Sequence, residues 1–207
     1  MNFNYEKLSE NIKRSESLFF IPHNILANKI IALASFVERV YFDNNIFLIY
    51  NTSLNGKRIL VINTNYSYAL LGHIMKNNQS DLKKIYYFDS PVKNSSIITF
   101  VEKSYILKDK TRFSDALSSI PENTDSKNSA KYTVSNSLTI PFDLYINDSY
   151  NSNIVKQFCK DNKIEIIDLF SYYFYLYLNE NNISGKSFFI EHSIEVKELA
   201  EFFYELD

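Results

Sequence analysis

Leu18-Phe19-Phe20-Ile21-Pro22-His23-Asn24 is the stretch from which the fold is read. Four consecutive apolar residues describe a short strand buried on both faces, and Pro22 stops it because proline has no N–H to give to a ladder. Asn24 then offers a cap to the apolar segment 25–37, which is expected to form a core helix. The same grammar recurs along the chain. Further strands are expected at 46–50, 58–62, 84–88, 164–167 and 187–190, with an edge strand at 97–101. Helical patterns cover 67–77, 152–161 and a closing segment capped by Ser193, with Val196, Leu199, Phe203 and Leu206 on one face. The aromatic run 170–178 is ambiguous: its residue types favour a strand and its place in the alternation favours a helix. Short apolar strands joined by helices imply an α/β fold, three-layer, with a mostly parallel sheet and helices on both faces.

Composition narrows the functions. The 207 residues hold only 3 Gly, where average usage of roughly 7% gives about fourteen. A P-loop and a dinucleotide-binding GxGxxG turn both need glycines that this chain lacks. A formal net charge of −2 gives no global footprint for nucleic acid. Cys159 is the single cysteine, so neither an intrachain disulfide nor a cysteine-based zinc site can form, and no cofactor is expected. The start Met1-Asn2-Phe3-Asn4-Tyr5 lacks the basic and apolar regions of a signal peptide, and no run is long enough for a membrane span. A cytoplasmic location is the default expectation. The chain reads as one domain, 1–207, with a polar insertion or lid at about 108–137.

In parallel sheets ligands bind beyond the carboxyl ends of the strands, so the polar residues after each strand are the ones to inspect. They are His23 and Asn24, then Asn63 to Ser67, Asp89 and Ser90, Asn147 and Asp148, Asp168, and Glu191 and His192. Ser67 stands between a strand and a helix, Asp148 follows a later strand, and His192 precedes the last helix. A nucleophile, an acid and a base in that order resemble the α/β-hydrolase superfamily. The resemblance implies Ser67 as nucleophile, His192 as general base and Asp148 as the group that orients it, with oxyanion donors near His23 and Tyr68. The elbow would read Asn65-Tyr66-Ser67-Tyr68-Ala69 in place of GxSxG.

The C-terminal half is also similar to SGNH-type esterases and acyltransferases, through 163–174 and the His192-containing block 188–206. Asn63-Thr64-Asn65 stands where that family has Gly-Asp-Ser. Together these resemblances imply a small serine-hydrolase-like protein acting on an acyl ester or thioester. The alternative is a catalytically inactive α/β scaffold that binds a protein partner. A metal site formed by Asp148, Asp168 and Glu191 is a further, weaker arrangement.

Overall fold

A computed structural model describes residues 5–42, 47–63, 72, 76, 84–90, 97–118 and 132–206. Its centre is a ten-stranded mixed sheet in the order β2-β3-β4-β1-β5-β10-β6-β8-β9, with β7 paired to β6. The strands are β1 Ser17–Phe20, β2 Phe36–Phe42, β3 Phe47–Leu54, β4 Lys57–Asn63, β5 Ile85–Asp89, β6 Ile98–Ile106, β7 Leu117–Ser118, β8 Thr133–Thr139, β9 Ile164–Asp168 and β10 Gly185–Ile190. The helices are α1 Tyr5–Arg14, α2 Asn24–Ala32, α3 Phe142–Ile146, α4 Asn153–Asp161, α5 Ser171–Asn181 and α6 Val196–Glu205.

The apolar run of β1 divides its side chains between two cores. Leu18 and Phe20 join Leu8 and Ile12 of α1 and Phe174, Tyr175 and Leu178 of α5 on one face. Phe19 joins Leu26, Ala27 and Ile30 of α2 and Leu199, Phe202 and Phe203 of α6 on the other. This is the three-layer arrangement expected from strands with no polar face. Phe19, Phe88 and Phe203 make edge and stacked contacts at 4.8–5.5 Å, and each such pair adds about 0.5–1.5 kcal/mol to the burial of its rings.

Strand direction sets where chemistry can sit. Strands β4, β1, β5 and β10 are adjacent and parallel. Beyond them β6 runs antiparallel to β10, and β8 and β9 follow β6. The carboxyl ends of β8 and β9 therefore lie at the opposite end of the sheet from those of β1, β4, β5 and β10.

Several elements depart from the sequence reading. The helix expected at 25–37 ends at Ala32, and Phe36–Phe42 instead pairs with β3 over seven residues. β3 continues past Tyr50 to Leu54 and turns at Asn55-Gly56, whose φ values of 51° and 79° are those of a tight hairpin loop. The expected edge strand is β6, which is nine residues long and lies inside the sheet. Strand β8 begins within the polar stretch, and Leu107 bridges back to Phe113 in it. The aromatic run resolves as helix α5. The last helix is capped by a Glu195–Glu198 capping box, not by Ser193, and Val196 is 45% exposed while Phe202 is buried in its stead. The helical pattern at 67–77 falls almost entirely outside the described residues.

Gly185 opens β10 where β10 meets β5. A Cβ there would lie 2.8 Å from the Ile85 carbonyl oxygen and 2.8 Å from Leu178 Cδ1. The carbonyl belongs to a ladder and cannot yield. Gly185→Ala is expected to cost about 1–3 kcal/mol, read as a lower urea midpoint with an unchanged slope.

Candidate functional site

The four adjacent parallel strands present their carboxyl-end residues as one rim: Asn63 after β4, Pro22-His23 after β1, Asp89-Ser90 at the end of β5, and Glu191-His192 after β10. The apolar runs fix this arrangement, since each strand ends where its buried stretch meets the first polar residue. Asn63 and Asp89 are 3% and 4% exposed, so the rim is cut into the protein and not simply laid on it.

The imidazoles of His23 and His192 lie against one another, with ring centroids 3.9 Å apart and planes inclined at 43°. His23 precedes the first turn of α2 in extended backbone, and its carbonyl accepts the Ala27 N–H at 3.0 Å. The loop carrying His192 is fixed by Lys29 of α2. The Lys29 ammonium donates to the His192 carbonyl at 2.6 Å and to the Ile194 carbonyl at 2.7 Å. Glu191 N–H donates to the Ile97 carbonyl at 2.9 Å, and the Ser193 hydroxyl donates to Glu191 Oε2 at 3.0 Å. On β5, Asp89 Oδ2 accepts the Tyr87 hydroxyl at 2.5 Å and Oδ1 accepts Ser90 N–H at 2.8 Å. The Ser90 hydroxyl reaches across to the Ile190 carbonyl at 2.9 Å, joining the ends of β5 and β10.

Burial, and secondarily the charge of His192, hold the His23 imidazole below its ordinary value of 6.5. His23 is therefore neutral at pH 7 and has one ring nitrogen free of a proton. The consequence for stability has a definite sign. On acidification the unfolded chain takes up this proton before the folded chain does. The stability tied to His23 is thus intact above about pH 6.5 and is drawn down as pH falls from there toward the folded value. The urea midpoint is expected to drop between about pH 7.5 and about pH 5.5, with a smaller drop in His23→Gln.

The remaining candidates are dispersed. Asp148 follows β8 in a left-handed turn (φ 54°) and accepts the Asn151 amide at 2.6 Å. Thr139, where β8 ends, pairs with Ile106, whereas Ile190, where β10 ends, pairs with Ile98. Eight residues of β6 separate the two, about 26 Å at a rise of about 3.3 Å per residue. Asp148 and His192 therefore stand at opposite ends of the sheet, so Asp148 does not orient His192. Ser67 and Tyr68 lie outside the described residues. Asp168 is buried under the first turn of α5 at the far end of the sheet, so Asp148, Asp168 and Glu191 do not converge on a metal. A cavity of about 260 Å³ opens at the amino ends of β1, β4 and β5, among Glu16, Phe19, Lys57, Lys84, Tyr86 and Phe203, and faces away from the rim. Among the described residues no helix is long and apolar enough to cross a membrane. Lys29 gave no functional signal in the sequence, where a lysine in an apolar helix reads as a solvated residue.

No protein-family model matches the sequence, and a search of curated proteins returns no relative. Solved structures do match the fold. A uridine phosphorylase structure from the oomycete Phytophthora capsici superposes with a TM-score of 0.69 at 10% identity, covering 93% of this chain and 87% of that one. A futalosine hydrolase mutant of Helicobacter pylori strain 26695 gives 0.64 at 9% identity, covering 93% and 100%. The 5′-methylthioadenosine nucleosidase of Arabidopsis thaliana, in apo form, gives 0.64 at 10% identity, covering 86% and 81%.

These matches correct the resemblances drawn from the sequence. The fold is that of nucleoside phosphorylases and nucleosidases, not of α/β-hydrolases or SGNH esterases. The reading as a serine esterase or thioesterase falls with it. The two hydrolase resemblances rested on the order of polar residues after strands, and that order carries no information on strand direction.

Proposed function

We propose that this chain binds a nucleoside at the carboxyl-end rim of β4, β1, β5 and β10 and cleaves the bond between its base and its sugar. The observation that carries the reading is the stacked His23–His192 pair beside the recessed Asp89, at the end of four adjacent parallel strands. Uridine phosphorylase and 5′-methylthioadenosine nucleosidase, whose folds this chain shares, are named for nucleosides. The chemistry of the rim suits such a ligand. Imidazole faces can stack on a base, as aromatic side chains do. A carboxylate such as Asp89 can accept hydrogen bonds from sugar hydroxyls or stabilise the positive charge that develops on a sugar carbon when its base leaves. A small nucleoside takes the place of the acyl ester first expected as the partner, and the cytoplasm is the compartment in which we place the protein.

The test is release of free base from a panel of purine and pyrimidine nucleosides, with uridine and 5′-methylthioadenosine included, followed by chromatography. Turnover of at least one nucleoside, lost in Asp89→Ala, is expected. A panel with neither turnover nor binding would remove the proposal.

A further inference from the structure

The proteins that share this fold include both phosphorylases and hydrolases, so the acceptor of the sugar is open. We infer that at this rim the acceptor is water and not phosphate, which makes the chain a nucleoside hydrolase; the inference rests on the nucleoside reading above.

The argument is one of charge and of proton capacity. A phosphate dianion needs fixed donors and positive charge around it. The described rim offers two carboxylates, Asp89 and Glu191, one of them recessed to 4% exposure. Both oxygens of Asp89 face hydrogen-bond donors of the protein itself, Tyr87 and Ser90. The ammonium at this end, Lys29, already donates to two backbone carbonyls, those of His192 and Ile194. The first turn of α2 adds only about half a positive charge, which two carboxylates outweigh. Phosphate would enter against like charge.

Water meets the opposite situation. It is uncharged, and the paired rings supply acceptor nitrogens. His23 is held neutral by its burial and by His192 beside it. In the step inferred, the bond between sugar C1′ and the base nitrogen breaks and its electron pair leaves with the base. A water oxygen forms the new bond to C1′. One water proton passes to the unprotonated nitrogen of an imidazole of the pair and from there to the departing base. The products are free base and free sugar, with no oxidant or second co-substrate required.

The test compares base release by the full chain in phosphate-free buffer and in buffer with excess inorganic phosphate. It is paired with an NMR titration of the His23 and His192 ring resonances by inorganic phosphate alone. Equal rates within about twofold, an unphosphorylated sugar as product, and ring resonances that phosphate leaves in place are expected. Release that requires phosphate and yields a sugar phosphate would overturn the inference while leaving the nucleoside reading intact. So would a saturable shift of the two imidazoles by phosphate. No release from any nucleoside in either buffer would remove the parent reading and this one with it.

Discussion

Truncating Asp168 to alanine is expected to cost about 3–5 kcal/mol of folding stability, the largest loss from any single polar substitution in the chain. Asp168 ends β9 at 2% exposure. Its Oδ1 accepts the N–H groups of Phe170 at 2.7 Å and Ser171 at 2.8 Å and the Thr139 hydroxyl at 2.9 Å; its Oδ2 accepts the Ser171 hydroxyl at 2.5 Å. These are the donors that α5 leaves unpaired at its first turn, so the side chain caps the helix from one turn before it. The Ser171 hydroxyl extends the network to Ser137 at 2.7 Å and Ser104 at 2.9 Å, all fully buried. Alanine would strand several buried donors at about 1–3 kcal/mol each, partly relieved by relaxation. Asp168→Asn keeps the volume and loses one acceptor, so a smaller cost of about 2 kcal/mol is expected. Urea unfolding measures both. A loss below about 1 kcal/mol for the alanine variant would mean that the network adds nothing net.

The second large effect concerns turnover. His192→Ala and His23→Ala are each expected to slow base release by about a hundredfold to ten-thousandfold, the usual range for removing a positioned acid or base. The two rings touch, so they act as one unit and the double variant should be little worse than the worse single one. His192 is exposed, and its loop is held through its backbone carbonyl by Lys29, so folding should be nearly unchanged in His192→Ala. An unaltered rate in both single variants, or strictly additive losses, would separate the pair from the chemistry.

The sequence revealed the centre of the sheet and misread its flanks. Strands β1, β4, β5 and β10 were legible because each is a run of buried apolar residues closed by a polar one. Strand β8 was not, since Thr133-Val134-Ser135-Asn136-Ser137-Leu138-Thr139 has the composition of a loop. Its hydroxyls are buried only because Asp168 and Ser171 meet them from elsewhere in the chain. Helix α2 was extended into β2 because an apolar segment has no period by which to end it. Direction was the deepest gap. Period 2 marks a strand but not which way it runs, so Asp148 was assigned to the wrong end of the sheet.

His23, Asp89, Ser90, Glu191 and His192 were all found at strand ends, where polar residues close apolar runs. What they do together was not legible, because the His23–His192 contact spans 169 positions and depends on β1 and β10 lying either side of β5. Lys29, which joins α2 to the His192 loop, is as remote in sequence.

The central claim, that the histidine rim is where a nucleoside sits, is tested most directly by NMR. The chain has 3 His, so the imidazole resonances of His23 and His192 can be assigned from His23→Gln and His192→Gln and followed as a turned-over nucleoside is added. Saturable movement of both resonances, with the same midpoint as the kinetic KM when chemistry is slow, is the expected result. Saturation of turnover while both resonances stay in place would put the substrate elsewhere and contradict the account.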